Sequence, residues 1–556
     1  MGNSQFTRRQ FIKAGTAGAF AAWTVACDFS KDFDLILVGG TLIDGSGQPG
    51  KIADVGVKQG VIAAIGDLKD RSAGRKIDIS GLVAAPGFID YHSHSDDELL
   101  LGGEAQSKIR QGVTTEILGQ DGGSMAPLNA KMYDRLLQRY QERWGIEIKW
   151  TDFAGYFQRL EQGGMITNAA SMLGQGTLRQ CVVGDDDRPA TAEEIARMKE
   201  LAETAFKHGV YGISSGLEYT PGSFASTEEI IEICKSMNGR GVYSSHMRNE
   251  DDTVLEAIRE AIQIAKSSGV DLNISHLKAS GQRNWHKMPQ MLALLDEARN
   301  GGMTVTCDRY PYVAYNTGLS SLFPLWSRDG GQEKFVERLQ DASLLPDIKA
   351  EVMKKVTKIG GWRSVMVSSL PKNPNRKQFE GRHLEELAST GQDPFELLLQ
   401  LILQENGGGG MVGFAMSEEN TSALLAYSHC MTASDASSIA NEGILHKGNP
   451  HPRGYGTFPR VLGKYVREDS IMSLEEAVRK MSALPASAMS IKDRGYLKKE
   501  YQADIAVFDP ATVIDNATWS EPHQYPSGIP YVIVNGEVVI DQEKFTGTLA
   551  GKVLRM

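Results

Sequence analysis

The sequence predicts an α/β protein: a (β/α)8 TIM barrel with a small β-sandwich domain formed from both chain ends and a lid insertion late in the barrel. Three observations predict it. Eight apolar, strand-like runs occur at 82–89, 113–118, 167–173, 209–214, 240–245, 270–275, 303–308 and 428–434, and most intervals between them carry helical patterns such as "TVLEAIREAIQIAKSSG". The two ends have another texture: "FDLILVGGTLIDGSG" (33–47), "ADVGVKQGVIAAIGD" (53–67), "ADIAVFDP" (503–510) and "YVIVNGEVVI" (531–540) are short strands broken by Gly or Asn-Gly turns. The interval from about 320 to 427 is too long for one strand-to-helix connection and holds Gly clusters at 360–361 and 407–410. Residues 33–80 plus 497–556 therefore read as the sandwich and 81–496 as the barrel, with a lid over about 320–410 and "MVGFA" (411–415) as an extra strand.

A chain of 556 residues that is 41% hydrophobic has ample material for a large core and an accessory domain. Its net charge of −10, from 59 basic and 69 acidic residues, offers no basic field to a phosphate backbone. No run interleaves Lys or Arg with aromatics, so nucleic acid is set aside as a partner.

The first 27 residues read as a leader. "TRRQFIK" (7–13) carries Arg8 and Arg9 ahead of the small apolar stretch "AGTAGAFAAWTVA", which is too short to span a bilayer. It resembles a twin-arginine export signal, which implies a periplasmic protein with no transmembrane helix in its mature form. "TVAC" puts Cys27 where a lipoprotein signal peptidase cuts, but Thr24 stands where Leu is usual. A lipid anchor at Cys27 and simple cleavage both stay open. Cys181, Cys234, Cys307 and Cys430 are scattered, with no CxxC pair, and read as buried small apolar residues, a bridge among them being left open.

"GFIDYHSHSDD" (87–97) places His92 and His94 at the end of an apolar run. Alternate residues of a strand share a face, so both imidazoles can reach one ion at the C-terminal mouth of a barrel. Two imidazoles alone are equally two polar residues at a strand end. Three later runs supply partners: "VYSSHMR" ends at His246, "LNISHLK" at His276, and "HCMTASDA" delivers Asp435. Four histidines and an aspartate, each just after an apolar run, form an ordered set that points to metal chemistry at one mouth. Among the eleven histidines, His208, His286, His383 and His523 lack this placement, and His429 and His446 are undecided.

The order HxH, His, His, Asp over the whole barrel resembles the metal-dependent amidohydrolase superfamily. "GFIDYHSHSD", "GVTTEILGQDGGSMAP", "GISSGLEYTPG", "SHLKASG", "DRYPY" and "HPRGYGTFPRVLGKYVRE" narrow the resemblance to the N-acyl-D-amino-acid deacylase (D-aminoacylase) family, from about residue 33 to the C-terminus. The resemblance implies that His246 and His276 hold a tightly bound Zn2+ with a ligand from the second strand, and that His92 and His94 shape a second metal position. Relatives usually offer Cys in an "NCG" stretch as the second-strand ligand. This chain reads Gln120-Asp121-Gly122. A carboxylate is harder than a thiolate, so one or two ions are expected, with Mn2+ or another divalent metal as an alternative to zinc. Glu116 competes for that role from mid-strand, on the opposite parity, which favours Asp121.

Metal-dependent amide hydrolysis needs a base near the attacking water, and Asp435 is the candidate catalytic residue for taking that proton and giving it to the leaving amine. By the resemblance, Lys278, Tyr310 and Arg453 bind the α-carboxylate of an N-acyl amino acid. Thr317 adds a hydroxyl. "YTPGSF" and the lid are walls for the acyl side. The expected enzyme is an exported hydrolase of N-acyl-D-amino acids, acting on linear amide bonds and releasing a carboxylic acid and a free D-amino acid; the preference for D rests on the resemblance alone. A D-residue dipeptidase and a cyclic amide hydrolase of the hydantoinase or dihydroorotase type are the alternatives. The latter commonly uses a carboxylated Lys between two metals, and no strand end here offers one. A binding protein that kept the metal without turnover would be expected to have lost Asp435.

Overall fold

The computed structural model describes residues 31–388 and 391–556. Arg8, Arg9 and Cys27, and with them the export and lipid-anchor readings, lie outside the described residues.

Eight parallel strands form the barrel: β1 (Phe88–Asp90), β2 (Val113–Leu118), β3 (Asn168–Ser171, resuming as Leu173–Gly174), β4 (Gly212–Gly216), β5 (Val242–His246), β6 (Asp271–Ile274), β7 (Val305–Arg309) and β8 (Cys430–Thr432). Each pairs with the next in sequence order. A parallel bridge between Ser93 and Ala436 closes β8 onto β1. In β2, β4, β5 and β7 every residue is buried, as expected of strands covered on both faces. Tyr243, Leu272, Ile274 and Val305 face outward against helix residues such as Ile230, Ile258 and Ile264. Ile89, Ile117, Ala170, Met172, Val242 and Met431 fill the barrel's interior.

The helices begin where short polar side chains can cap them. Asn129 accepts from the Met132 amide at the start of Ala130–Trp144, and Thr191 and Glu194 form a capping box ahead of Ala192–Lys207. Val254–Ser268 ends at Gly269, whose φ of 69° suits glycine.

The apolar run 82–89 is not one strand. It divides at Gly87: Val83–Pro86 pairs with Ile505–Phe508 in the accessory domain, and only Phe88–Asp90 enters the barrel. A Cβ at Gly87 would meet the Thr114 hydroxyl at 2.2 Å, so the crossing point requires glycine. The accessory domain is a sandwich of a four-stranded and a seven-stranded sheet. Its core joins Leu35, Val57, Ile62 and Ile77 of one sheet to Leu42, Ala84, Ile505, Val507 and Ile533 of the other. The last residues leave it, as Gly551 and Val553 bridge to Met165 and Ala169 beside β3.

Between β7 and β8 lies an inserted unit with its own antiparallel sheet, Gly410–Phe414 running between Ala314–Gly318 and Val365–Ser369. Two of these strands fall at or beyond the expected bounds of 320 and 410, because the sheet that anchors the lid is built from its entry and exit segments. Phe335, Leu339, Ile348, Val352, Leu398 and Ile402, from the helices Gly331–Gln340, Leu345–Lys358 and Pro394–Gln404, give it a separate core. At about 1.5–3 kcal/mol for each fully buried large apolar side chain, such a cluster holds the insertion as a unit. Among the described residues the four cysteines are free, and no helix is long and apolar enough to cross a membrane.

Candidate active site

The strand ends deliver their polar residues to one place. His92 and His94 follow β1, Asp121 follows β2, His246 ends β5, His276 lies just past β6, and Asp435 follows β8. His92 Nε2 lies 3.3 Å from Asp121 Oδ1 and 3.7 Å from Asp435 Oδ1. His94 Nε2 lies 3.1 Å from Asp435 Oδ1 and 3.6 Å from Asp121 Oδ2. His276 Nε2 and His246 Nδ1 approach Asp121 Oδ2 at 3.3 and 3.6 Å, and each other at 2.9 Å. Donor atoms of one type set thus face one another with few hydrogens to share.

Asp121, His276 and Asp435 take positive φ values of 53°, 34° and 50°. Non-glycine residues adopt that region at a cost of order 1–3 kcal/mol, and clusters of them mark functional sites. The chain turns sharply after each strand so that a side chain aims inward. The same turn explains Lys278: β6 has ended at Ile274, so Lys278 reaches the site from a loop and not along a continuing strand.

Glu116 is excluded from the cluster by its surroundings. It faces away from the histidines, where it accepts from the Ser93 and Ser95 hydroxyls at 2.7 and 2.5 Å and from Thr167 at 2.7 Å. Asp121 is the second-strand carboxylate that meets the imidazoles.

The charges reinforce one another. Burial pushes the Asp435 carboxyl up, but the Arg453 guanidinium, His276, His94 and His92 outweigh it and hold the carboxyl well below the usual range. Arg453 Nη1 donates to Asp435 Oδ2 at 2.7 Å. Asp121 is likewise raised by burial and lowered further by His92, His276 and His246. Burial disfavours protonated His94, yet Asp121 and Asp435 raise it to about 9.

Several supporting residues were not among the expected site residues, although Asp308 and His451 stand in the "DRYPY" and "HPRGYG" motifs. Asp308, on β7, accepts the His276 amide at 2.8 Å and lies 3.5 Å from His92 Nδ1, while Asn273 donates to its other oxygen. Glu250 lies 3.0 Å from His276 Nδ1 and 2.6 Å from Lys278 Nζ. His451 accepts the Arg453 amide on Nδ1 and donates from Nε2 to the Ala314 carbonyl, fixing the Arg453 turn. Parity identifies strand neighbours, and Glu250 and His451 lie on loops, where parity carries no information.

The substrate-binding candidates divide. Lys278, Arg453 and Thr317 line a cavity of about 400 Å3 above the cluster, the size of a small-ligand site. Tyr310 does not line it: the ring is fully buried, with the Arg453 guanidinium 4.5 Å from its centre. Tyr310 therefore shapes Arg453. Thr317 Oγ1 lies 3.3 Å from the Tyr219 hydroxyl, which adds a second hydroxyl to that wall.

Both ring nitrogens of His92, Asp121 Oδ1 and His246 Nε2 are buried without a hydrogen-bond partner. A cation satisfies such atoms better than burial alone. His92, Asp121, His276 and Asp435 each offer a ligand atom within one 4.8 Å group, and His246, Glu250 and His276 form a second, overlapping group. The donor set, imidazole and carboxylate with no thiolate, fits a divalent ion of the zinc or manganese kind.

A closed eight-stranded barrel with this set at its C-terminal mouth defines a metal-dependent amidohydrolase. Known proteins agree. The Amidohydrolase family model matches residues 446–540. The chain is 40% identical over 527 residues to the D-aminoacylase of Alcaligenes xylosoxydans xylosoxydans, covering 94% of this chain and 98% of that protein. A solved D-aminoacylase described for its binuclear metal centre aligns with a TM-score of 0.78 at 37% identity, over 94% of this chain and all of that one. The N-acyl-D-glutamate deacylase of Bordetella bronchiseptica, solved with zinc and a phosphonate mimic of the tetrahedral intermediate, aligns with a TM-score of 0.79 at 32% identity over the same shares. The chain belongs to the D-aminoacylase (N-acyl-D-amino-acid deacylase) family and is a hydrolase acting on amide bonds.

Proposed function

We propose that this chain hydrolyses N-acyl-D-amino acids to a carboxylate and a free D-amino acid, with Asp435 as the base and His92, His94, Asp121, His246 and His276 holding one or two divalent ions. The observation that carries the reading is the convergence of four imidazoles and two carboxylates beneath a cavity whose wall bears Lys278 and Arg453. A bound divalent ion supplies Lewis acidity, making water a competent nucleophile near neutral pH and polarising the amide carbonyl.

The chain's own residues do the rest. Asp435, kept ionised by Arg453, takes the proton of the attacking water and returns it to the amide nitrogen as the C–N bond breaks. Glu250 and Asp308 fix the His276 ring and backbone. Lys278, bonded to Glu250, and Arg453, bonded to Asp435, present cationic groups to the substrate α-carboxylate, which competes with Glu250 for the ammonium. Thr317 and Tyr219 offer hydroxyls to the same cavity.

Zinc or manganese suits the donors, with Asp121 in place of a thiolate favouring the harder ion. The basic leader supports export to the periplasm, and fractionation of cells expressing the full chain tests that location. The function itself is tested by offering the metal-loaded protein linear N-acetyl-D-amino acids beside cyclic ureides and imides. Turnover of the linear amides is expected; turnover of the cyclic compounds alone would replace this reading with a cyclic amidase.

A further inference from the structure

Above the metal-ligand cluster the cavity runs toward the inserted unit and ends on three charged groups. Glu218 comes from the loop after β4, Asp251 from the loop after β5, and Lys355 from the insertion helix Leu345–Lys358; all three line the cavity. Lys355 Nζ lies 3.6 Å from Asp251 Oδ2 and 3.9 Å from Glu218 Oε2. Glu218 more than offsets burial in holding the ammonium protonated, and Asp251 adds to it. Arg328 sits behind this group and donates to the Glu218 backbone carbonyl, outside the cavity lining.

On the reading of Lys278 as the α-carboxylate partner, this end of the cavity takes the amino-acid half of the substrate. Lys278, which takes the α-carboxylate in the reading above, is bonded to Glu250, the residue before Asp251. Ser280, two residues after Lys278, lines the cavity together with Lys355 and Ile359, and its amide donates to the Glu250 carbonyl. With the α-carboxylate on Lys278, the substrate side chain has the end of the same cavity that bears Lys355 and its two acids open to it.

We propose that Glu218, Asp251 and Lys355 form a charge filter that admits N-acyl-D-amino acids with uncharged side chains and rejects those with a side-chain carboxylate. The inference rests on the proposed function and names its substrate class. Lys355 would invite an anionic side chain if it stood alone. Of the cations near this end, Lys355 alone lines the cavity, while Lys358 and Arg328 act on Asp251 and Glu218 from behind it; two carboxylates flank the one accessible ammonium, so an incoming third finds that cation already paired and meets repulsion from both acids. Family membership does not decide the matter, since a relative is an N-acyl-D-glutamate deacylase.

The test compares kcat/KM of the metal-loaded full chain for N-acetyl-D-glutamate and N-acetyl-D-methionine. The glutamate-to-methionine ratio is expected below one-tenth in the wild type. It rises at least tenfold in Glu218→Gln/Asp251→Asn, which frees Lys355, and falls further in Lys355→Met. Asp251→Asn alone, expected to raise the ratio severalfold, serves if the double variant does not fold. A wild type that prefers the glutamate derivative, or a ratio that the acid substitutions leave unmoved, overturns the filter while keeping the deacylase reading. A ratio that follows the charge of the acyl group, with N-succinyl in place of N-acetyl, overturns the placement of the side chain. Hydrolysis of no N-acyl-D-amino acid overturns both.

Discussion

Replacing Asp435 with asparagine removes the proposed base and leaves most of the surroundings in place. The Asp435 carboxylate meets His94 Nε2 through Oδ1 at 3.1 Å and Arg453 Nη1 through Oδ2 at 2.7 Å, so an asparagine with its amide oxygen in the Oδ2 position keeps the Arg453 bond and turns its NH2 toward His94. His92, Asp121, His246 and His276 keep their mutual distances and retain a ligand set without it. The lost function is proton transfer, which places the fall in kcat at roughly 10²–10⁴-fold. A second cost falls on stability. Arg453 is 2% exposed and pairs through Asp435, so neutralising the partner strands a buried cation. Breaking such a pair costs about 3–5 kcal/mol, reduced here because asparagine keeps one hydrogen bond. The assay combines initial rates on N-acetyl-D-methionine, elemental analysis of metal and a thermal melt. Metal near the wild-type ratio with activity down at least a hundredfold is expected. Activity within tenfold of wild type would refute the role of Asp435, and parallel loss of metal would recast it as a ligand.

Other outcomes follow from the same geometry. Arg453→Met removes the cation that holds the Asp435 carboxyl down, so the acid limb of the kcat/KM profile moves to higher pH; an unmoved limb counts against the coupling. His276→Ala lowers the metal-to-protein ratio, and an unchanged ratio by elemental analysis would remove His276 from the ligand set. Glu116→Ala strands the Ser93, Ser95 and Thr167 hydroxyls and costs about 3 kcal/mol by denaturant titration, while metal content stays at the wild-type level. In the metal-free chain His94 is raised to about 9 from 6.5, so its protonated form adds stability that is complete below pH 6.5 and lost as the pH rises through 9. The melting temperature of that form should fall over this window. A metal-loaded chain should show a widening advantage over the same range, because ligation needs neutral imidazole. A flat metal-free profile would contradict this.

The barrel was legible because buried parallel strands are continuous apolar runs. Seven runs each overlap one barrel strand, the run 82–89 divides between sandwich and barrel, and the ends of β1, β2, β5, β6 and β8 supply the cluster. Periodicity failed where burial does not change across a boundary: Val83–Pro86 and Phe88–Asp90 are equally apolar, and only their pairing assigns one to the sandwich and the other to the barrel. The lid was placed by loop length and "MVGFA" marked its central strand, Gly410–Phe414, but the flanking strands Ala314–Gly318 and Val365–Ser369 lie in segments too short and mixed to show alternation. At the site, strand-end position indicated His92, His94, His246, His276 and Asp435, and parity separated Asp121 from Glu116. Glu250, His451 and Lys355 reach the site from two loops and a distant helix, where sequence spacing carries no spatial information. Tyr310 stands in the "DRYPY" motif, and its burial behind Arg453 is visible only once the insertion is folded over β7.

The measurement that bears most directly on the account is chiral analysis of the amino acid released from racemic N-acetyl-methionine by the metal-loaded protein. The account predicts free D-methionine alone, conversion stopping near half, and residual N-acetyl-L-methionine. Release of the L-amino acid at a comparable rate, or no release with metal bound at the wild-type ratio, would contradict it.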